Sequence, residues 1–483
     1  MKPWELDKLR IAAKAKWLGR GTRSFNGHVC TDSRKAAEGD LFIAIAGKNH
    51  DAHDFLVDVV ARNVAVILVH KELPAPILAD AQHHGCAILQ VEDTIAGLNR
   101  LAAVYRNELR AKVIAVGGSN GKTTTKRIIH TLLSEKLSGH SSPKSFNNNI
   151  GMPLTLLEVE SKHEFVVLEI GTNAPGEIAA LGDVCRPDIA VITSVGLEHL
   201  EKLGDLEGVA KEEASIAAFV TAGGMLILPA HAPELAASLK TSPAQKVWVG
   251  ADNSAVANQN SDVQADLVAT NISESIEGTS FTINGRGGFR VPLLGSHNAV
   301  NALMAIAVAR RLGLSDDQIA AGLLKVKPVE MRLEPMTVGG FKIINDAYNA
   351  NPSSMEAAIK TFAHLKSAAS SGQNKPRKVA ILGDMLELGV STEAMHRAIG
   401  GLVAGWKLDL FIAIGPQMRF AADVASVAGV PTQRFADTAS ARTRIQELLL
   451  PGDEILLKGS RGMALETLLG ALHNQPEAII ATH

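Results

Sequence analysis

The sequence predicts an α/β protein in three domains, at residues 1–109, 110–327 and 328–483. Short apolar runs alternate with helix-like stretches along most of the chain, the pattern of mostly parallel sheets whose strands are buried on both faces. The pattern changes character near residue 110 and again at Lys327-Pro328. A chain of 483 residues also exceeds what one hydrophobic core organises, and the length prior gives about three domains.

In the first domain, strand-like runs fall at residues 41–46, 64–69 and 87–91, with helical stretches between them. The second is more strongly α/β: buried-strand runs recur at 113–116, 165–170, 189–193 and 225–228, each bounded by turn or helix-start signals. Residues 252–290 are polar and poor in aromatics. Alternating pieces at 265–276, 280–283 and 289–293 predict an antiparallel flap there, followed by an Ala-rich amphipathic helix at 297–312. Beyond the break, runs at 342–346, 378–383, 410–415 and 454–458 predict a Rossmann-like third domain. There is no internal repeat and no low-complexity tract.

Composition narrows the class. Hydrophobic content of 46% and charged content of 20% suit a soluble globular protein. A net charge of −2 gives no basic bias, so neither nucleic acid nor a membrane surface is an expected partner. Cys30, Cys86 and Cys185 are far apart with no C-x-x-C, which argues for a reducing compartment and against structural zinc. The N-terminal stretch is charged throughout and lacks the apolar core of a signal peptide. The longest apolar stretch, 216–229, is interrupted by Thr221, Gly223 and Gly224 and is too short to span a bilayer. A cytoplasmic monomer is expected.

The most informative stretch is VIAVGGSNGKTTTK, residues 113–126. An apolar strand stops at two glycines, and Gly118, Ser119, Asn120 and Gly121 lead through Lys122, Thr123 and Thr124 into a helix. Backbone N–H groups in such a loop point at an anion, and the helix dipole adds to the attraction. Lys122 is placed to reach the β/γ-phosphates of a nucleoside triphosphate, and the Thr123 hydroxyl to ligate Mg²⁺. The common form of this loop has a further Gly where Val116 stands. The short form points away from GTPases and generic ATPases, and ATP is the expected nucleotide.

Other motifs fall into one pattern with it. They are Asp32-Ser33-Arg34 with Gly39-Asp40-Leu41-Phe42; Asn147-Asn148-Asn149-Ile150-Gly151-Met152-Pro153; Glu169-Ile170-Gly171-Thr172-Asn173; and His199 followed by Lys211. Further on come His297-Asn298-x-x-Asn301, Met331-Arg332-Leu333-Glu334, the stretch DAYNANPSSM from Asp346 to Met355, and Lys458-Gly459-Ser460-Arg461. On these residues the chain resembles the Mur ligases, which add amino acids to the peptidoglycan precursor, and within them the branch that adds D-alanyl-D-alanine. The resemblance covers nearly the whole chain.

The resemblance implies an ATP-dependent amide ligase acting through an acyl phosphate, with UDP-N-acetylmuramoyl-tripeptide and D-alanyl-D-alanine as partners. It makes the first domain a uridine-nucleotide domain, with Ser33 and Arg34 at the diphosphate. It assigns Mg²⁺ to Thr123, Glu169 and His199, together with an N-carboxylated Lys211. A free lysine titrates near 10.4, so capture of CO₂ at Lys211 calls for a desolvated site. Asn301, Arg332 and Asp346 are implied contacts to ATP, the Arg at phosphate and the acid at the ribose. Asn149 and Thr172 are expected to face the precursor. Tyr348, Asn349, Asn351, Lys458, Ser460 and Arg461 are expected to hold the dipeptide or the acceptor carboxylate.

Plainer readings stay open for several of these residues. Glu169 reads also as a loop-capping carboxylate, Lys211 as a solvated helix lysine between neighbouring acids, Asn298 as a helix cap, and Asn349 and Asn351 as an Asn-rich turn. Folylpolyglutamate synthase or a sibling Mur ligase adding a single amino acid, a P-loop ATPase or kinase, and a non-catalytic nucleotide-binding module are the competing functions. The Asp32-Ser33-Arg34 loop and DAYNANP disfavour the folate reading, the short loop the ATPase or kinase, and the presence of Lys122, Thr123, Glu169 and His199 the non-catalytic module.

Overall fold

The computed structural model describes residues 1–483 except 48, 241, 253–262, 366–375 and 474–483. Among the described residues the strands form three sheets, of five, nine and six strands, in chain order. The first runs Lys16–Gly19, Ala87–Gln90, Val66–Val69, Leu41–Ile43, Val29–Cys30 across its width, parallel except at the Lys16–Gly19 edge.

The second sheet has Lys112–Gly117 third from one edge, between Phe165–Glu169 and Ile189–Ile192, all parallel. It continues in parallel through Met225–Pro229 and Gln245–Ala251 to Leu267–Ser275. Gly278–Ile283 and Arg286–Val291 then complete an antiparallel edge. The flap expected over 252–290 is thus an extension of the central sheet; its part at 253–262 lies outside the described residues.

The third sheet places Phe341–Asp346, Glu454–Lys458, Lys378–Gly383, Leu410–Ile414 and Thr432–Phe435 in parallel, with Glu334–Val338 antiparallel at one edge. No helix among the described residues is long and apolar enough to cross a membrane.

The central layer follows from sequence periodicity. Helix Lys122–Leu133 turns Thr125, Ile128, Ile129 and Leu132 to the sheet, spaced i, i+3, i+4 and i+7. Ile128, Ile129 and Leu132 share a core with Ile114, Val116, Ala302, Leu303 and Ile306. Each such side chain contributes roughly 1.5–3 kcal/mol on burial, so the helix N-terminus is fixed over the strand ends. Helix His297–Arg311 is buried along most of its length, packs against helix Lys122–Leu133, and holds it from the other side.

Both large sheets present carboxyl ends to one cleft. Parallel α/β sheets offer ligands a crevice at that edge, where the loops leave the strands. The loops after Gly117 and Glu169 approach it from the second sheet, and those after Asp346 and Lys458 from the third.

Candidate functional site

The cleft has a volume of about 540 Å³ and lies between the second and third sheets. Its first wall is the loop at 118–121. Gly118 has φ +109°, and a Cβ there would stand 2.4 Å from Thr193 Oγ1. Gly121 has φ +86° and caps helix Lys122–Leu133; its Cβ would stand 2.7 Å from Asn301 Oδ1. Only glycine meets both demands. Hydrogen bonds complete the loop: Ser119 N donates to Ser194 O at 2.9 Å, Asn120 N to Ser194 Oγ at 2.8 Å, and Thr193 Oγ1 to Asn120 O at 2.6 Å. Lys122 Nζ donates to the carbonyls of Gly118 and Ser119, so its ammonium is held over the loop.

Glu169 ends strand Phe165–Glu169 and is 1% exposed. Its Oε2 lies 3.1 Å from Lys126 Nζ, and its Oε1 accepts from Asn147 Nδ2 at 3.2 Å. Thr123 is buried, with its hydroxyl 3.5 Å from Ser145 Oγ; Thr124 follows it on the helix without lining the cleft. His199 lines the cleft with φ +52°, a left-handed conformation uncommon outside glycine, and its Nδ1 pairs with Glu387 Oε2 at 2.5 Å. That pair joins the second unit to the third.

From the third sheet, Arg332 stacks over the Tyr348 ring with its guanidinium 4.1 Å from the centroid. Both line the cleft with Asn349, Asn351, Ser460 and Arg461. Asn149 and Thr172 line it from the second unit.

Several expected residues make contacts within the protein. Lys458 is 2% exposed, and its Nζ donates to Asp346 Oδ2 at 2.6 Å and to Asn349 O at 2.9 Å. Asp346 Oδ1 accepts from Leu333 N at 3.0 Å. Burial lowers the Lys458 pKa, and Asp346 opposes that shift. The pair therefore ties the strand end together beneath the cleft wall. Asn351 Oδ1 caps helix Pro352–His364 by accepting from Ser354 N at 2.8 Å. Asn301 is buried under Gly121, its Nδ2 donating to Asn298 Oδ1 at 2.9 Å. Asn298 is no helix cap; its Nδ2 donates to Leu294 O at 2.7 Å. Ser33 and Arg34 lie on the first unit, away from the cleft, with Arg34 held by both oxygens of Asp32 at 2.9 and 2.8 Å.

Lys211 is exposed on helix Leu206–Ala214, without the desolvation that carboxylation calls for. The inward positions are Glu212 and Glu213. Glu212 accepts from Gly176 N at 2.7 Å and Ile178 N at 2.8 Å. Glu213 accepts from Gly118 N at 2.8 Å, inside the loop itself. Burial pushes the Glu213 carboxyl up to about 8, with Lys122 drawing it down. Glu198, beside His199, is buried and likewise raised by burial, against the pull of Lys122. The sequence held a signal for Glu213: Leu206, Val209, Ala210 and Glu213 share the i, i+3, i+4, i+7 face from which Lys211 is excluded. Glu198, Lys126 and Glu387 carried none beyond adjacency to a motif.

Comparison with known proteins agrees with this architecture. The Mur ligase middle domain matches residues 116–309, and the family described as Mur ligase, glutamate ligase domain matches 331–461. The UDP-N-acetylmuramoyl-tripeptide–D-alanyl-D-alanine ligase of Bacillus subtilis is 37% identical over 459 residues, covering 93% of each chain. Its Escherichia coli counterpart is 33% identical, covering 92% of this chain and 93% of that one. The crystal structure of MurF from Acinetobacter baumannii superposes with a TM-score of 0.84 at 30% identity, covering 98% of this chain and all of that one. With both family domains in place and relatives matched along nearly its full length, this chain belongs to the Mur ligase family.

Proposed function

We propose that this chain is an ATP-dependent, ADP-forming ligase that joins D-alanyl-D-alanine to UDP-N-acetylmuramoyl-tripeptide in peptidoglycan precursor synthesis. One observation carries the reading: the phosphate-wrapping loop and Glu169 share a single cleft with Arg332, Tyr348, Asn349 and Arg461 of the third unit. A loop alone would suit any ATPase. A second unit that completes the wall suits a transfer whose intermediate must be kept from water. The two organic substrates follow from the names of the relatives.

The tripeptide's terminal carboxylate attacks the γ-phosphorus of ATP, and the bond to the β–γ bridging oxygen breaks. ADP leaves, and an acyl phosphate forms. The dipeptide's amino group then attacks the acyl carbon. The resulting tetrahedral adduct expels phosphate and loses a proton, giving the amide. No side-chain nucleophile enters the sequence. The chain contributes position and charge. The N-terminus of helix Lys122–Leu133 and the Lys122 ammonium hold the phosphates, Arg332 supplies a second cation from the opposite wall, and the Tyr348 ring fixes the orientation of that guanidinium.

Thr123, Glu169 and His199 are assigned as the donors to Mg²⁺; hydroxyl and buried carboxylate oxygens suit that ion, and an imidazole is the less usual partner. Bound there, Mg²⁺ would reduce the repulsion between the triphosphate and the attacking carboxylate. Carboxylation of Lys211 has no desolvated pocket to support it. Ser33 and Arg34 are assigned to the uridine diphosphate, and Asn149 and Thr172 to the muramoyl peptide. ATP, a nucleotide-linked substrate and three free buried thiols fit a cytoplasmic enzyme.

The deciding experiment measures phosphate release from ATP and Mg²⁺ with the UDP-tripeptide, with and without D-alanyl-D-alanine. Release that needs both, with the precursor gaining the mass of one dipeptide less water, establishes the reaction. Release indifferent to the dipeptide sinks it.

A further inference from the structure

Glu213 is 1% exposed and stands where the loop begins. Its Oε2 accepts from Gly118 N at 2.8 Å, and a Cβ on Gly117 would lie 2.9 Å from that same oxygen. Its Oε1 is buried with no hydrogen-bond partner. A buried carboxylate oxygen left without a donor is costly, so its retention calls for a reason. The neighbours it meets electrostatically are Lys122, Glu198 and Glu212. An anion with one oxygen anchored to the loop backbone and one uncommitted, among further acids, is suited to a cation that arrives with the nucleotide. Lys211, two residues earlier, is turned to solvent.

We infer that Glu213 supplies, without any modification, the anionic oxygen donor that a carboxylated lysine would otherwise provide to the Mg²⁺–ATP site of this chain. The inference rests on the ATP-ligase reading and deepens it. Glutamate needs no CO₂ to become an anion: its buried carboxyl gives up a proton when the cation arrives, whereas a lysine carbamate forms by addition of a neutral amine to CO₂ with loss of a proton and reverses when CO₂ is withdrawn. The cation affinity of this protein is therefore independent of CO₂. Glu198 flanks the same loop and adds a further negative group to the field around Lys122.

The test uses the full chain with Mn²⁺ as probe and a non-hydrolysable ATP analogue, read by electron paramagnetic resonance titration. Glu213→Gln keeps an amide oxygen for the Gly118 N–H and removes the charge, so a residue that merely braces the loop would tolerate it. The expected result is Mn²⁺ binding weakened about tenfold or more, with the melting temperature unchanged. Wild-type affinity should be equal in CO₂-stripped and bicarbonate-containing buffer, and ¹³C-bicarbonate should give no carbamate resonance. Mn²⁺ binding unaffected in Glu213→Gln overturns the inference and leaves the ligase reading standing. So does a CO₂-dependent wild-type affinity with a carbamate signal that Lys211→Arg abolishes; this arm decides even if Glu213→Gln fails to fold. A wild-type chain that binds neither the analogue nor Mn²⁺ overturns the inference together with the ATP reading. Neither arm uses the UDP precursor or the dipeptide, so failure of the ligase assay is separately visible.

Discussion

Asn351 Nδ2 donates to Asn120 Oδ1 at 3.0 Å, joining the third unit to the phosphate loop across 231 positions of sequence. Asn120 answers with Nδ2 to Ser353 Oγ, also at 3.0 Å. The same Asn351 caps helix Pro352–His364, so one side chain sets a helix start and the approach of two units. Serine caps a helix about as well as asparagine but is too short to reach Asn120. Asn351→Ser should therefore leave the melting temperature close to wild type while lowering kcat/KM about tenfold, the worth of a lost interdomain hydrogen bond near 1.4 kcal/mol. Asn351→Ala loses the cap as well and should cost about 1 kcal/mol of stability. Equal activity in the serine variant and wild type would mean that the bridge does not govern closure.

Lys122→Ala removes the ammonium that the loop holds over the carbonyls of Gly118 and Ser119. Lys122 is only half-buried, so the fold should persist, with an unchanged circular dichroism melt. Turnover should fall by about a thousandfold, the scale of removing one preorganised charge-stabilising group. Near-normal rates would remove the loop from the reaction.

The Lys458–Asp346 pair makes the opposite prediction, stability before activity. Both members are buried, and Asp346 also holds Leu333 N. Lys458→Ala leaves a carboxylate buried without its cation, a change that costs roughly 3–5 kcal/mol. Thermal unfolding monitored by calorimetry should show the third unit melting first. The double variant Lys458→Met with Asp346→Leu should recover much of that loss. A single variant with an unaltered melt would show that the pair is dispensable.

The split between these residues explains how much the sequence revealed. Strand interiors such as 113–116, 165–170 and 378–383 were legible because apolar runs mark burial on both faces. The strands Lys16–Gly19, Val29–Cys30, Gly139–Ser141, Glu334–Val338 and Thr432–Phe435 were not, and each is a sheet edge, where exposure removes the apolar signature. Gln245–Ala251 lies inside its sheet and was missed because polar and apolar residues mix along it. At the site, the glycines and Lys122 were readable from local motif chemistry. Lys458 shares a motif with the cleft-lining Ser460 and Arg461, yet sequence order does not tell which side chain turns inward. Lys211 and Glu213 differ by two positions on a helix, about 200° of rotation, and that angle separates solvent from the loop.

The thiols offer a check on burial. Cys30, Cys86 and Cys185 are free and buried. Burial pushes Cys86 and Cys185 up to about 12 and raises Cys30 as well. Only the thiolate reacts, so at pH 8 the native protein should give almost no colour with a disulfide reagent, and three equivalents once denatured. Rapid reaction of one equivalent in the native state would locate an opening near that cysteine.

Arg34 tests the first unit independently of the cleft. Its side chain is 85% exposed, and both its contacts are to Asp32, which itself is held well down near 2 chiefly by the Arg34 hydrogen bond. An exposed pair of this kind contributes little to stability, because water solvates both groups nearly as well. What the pairing does is orient a planar, two-pronged cation toward solvent on the unit assigned to the uridine diphosphate. Arg34→Ala should therefore leave the melting temperature unaltered and weaken UDP binding about tenfold by calorimetry, the scale of one charge-assisted phosphate contact. Affinity for the ATP analogue should stay within about twofold, because Arg34 lies outside the cleft. Arg34→Lys should recover only part of the loss, since an ammonium cannot make the paired contact with two oxygens. Equal losses for UDP and the ATP analogue would place Arg34 outside the uridine site.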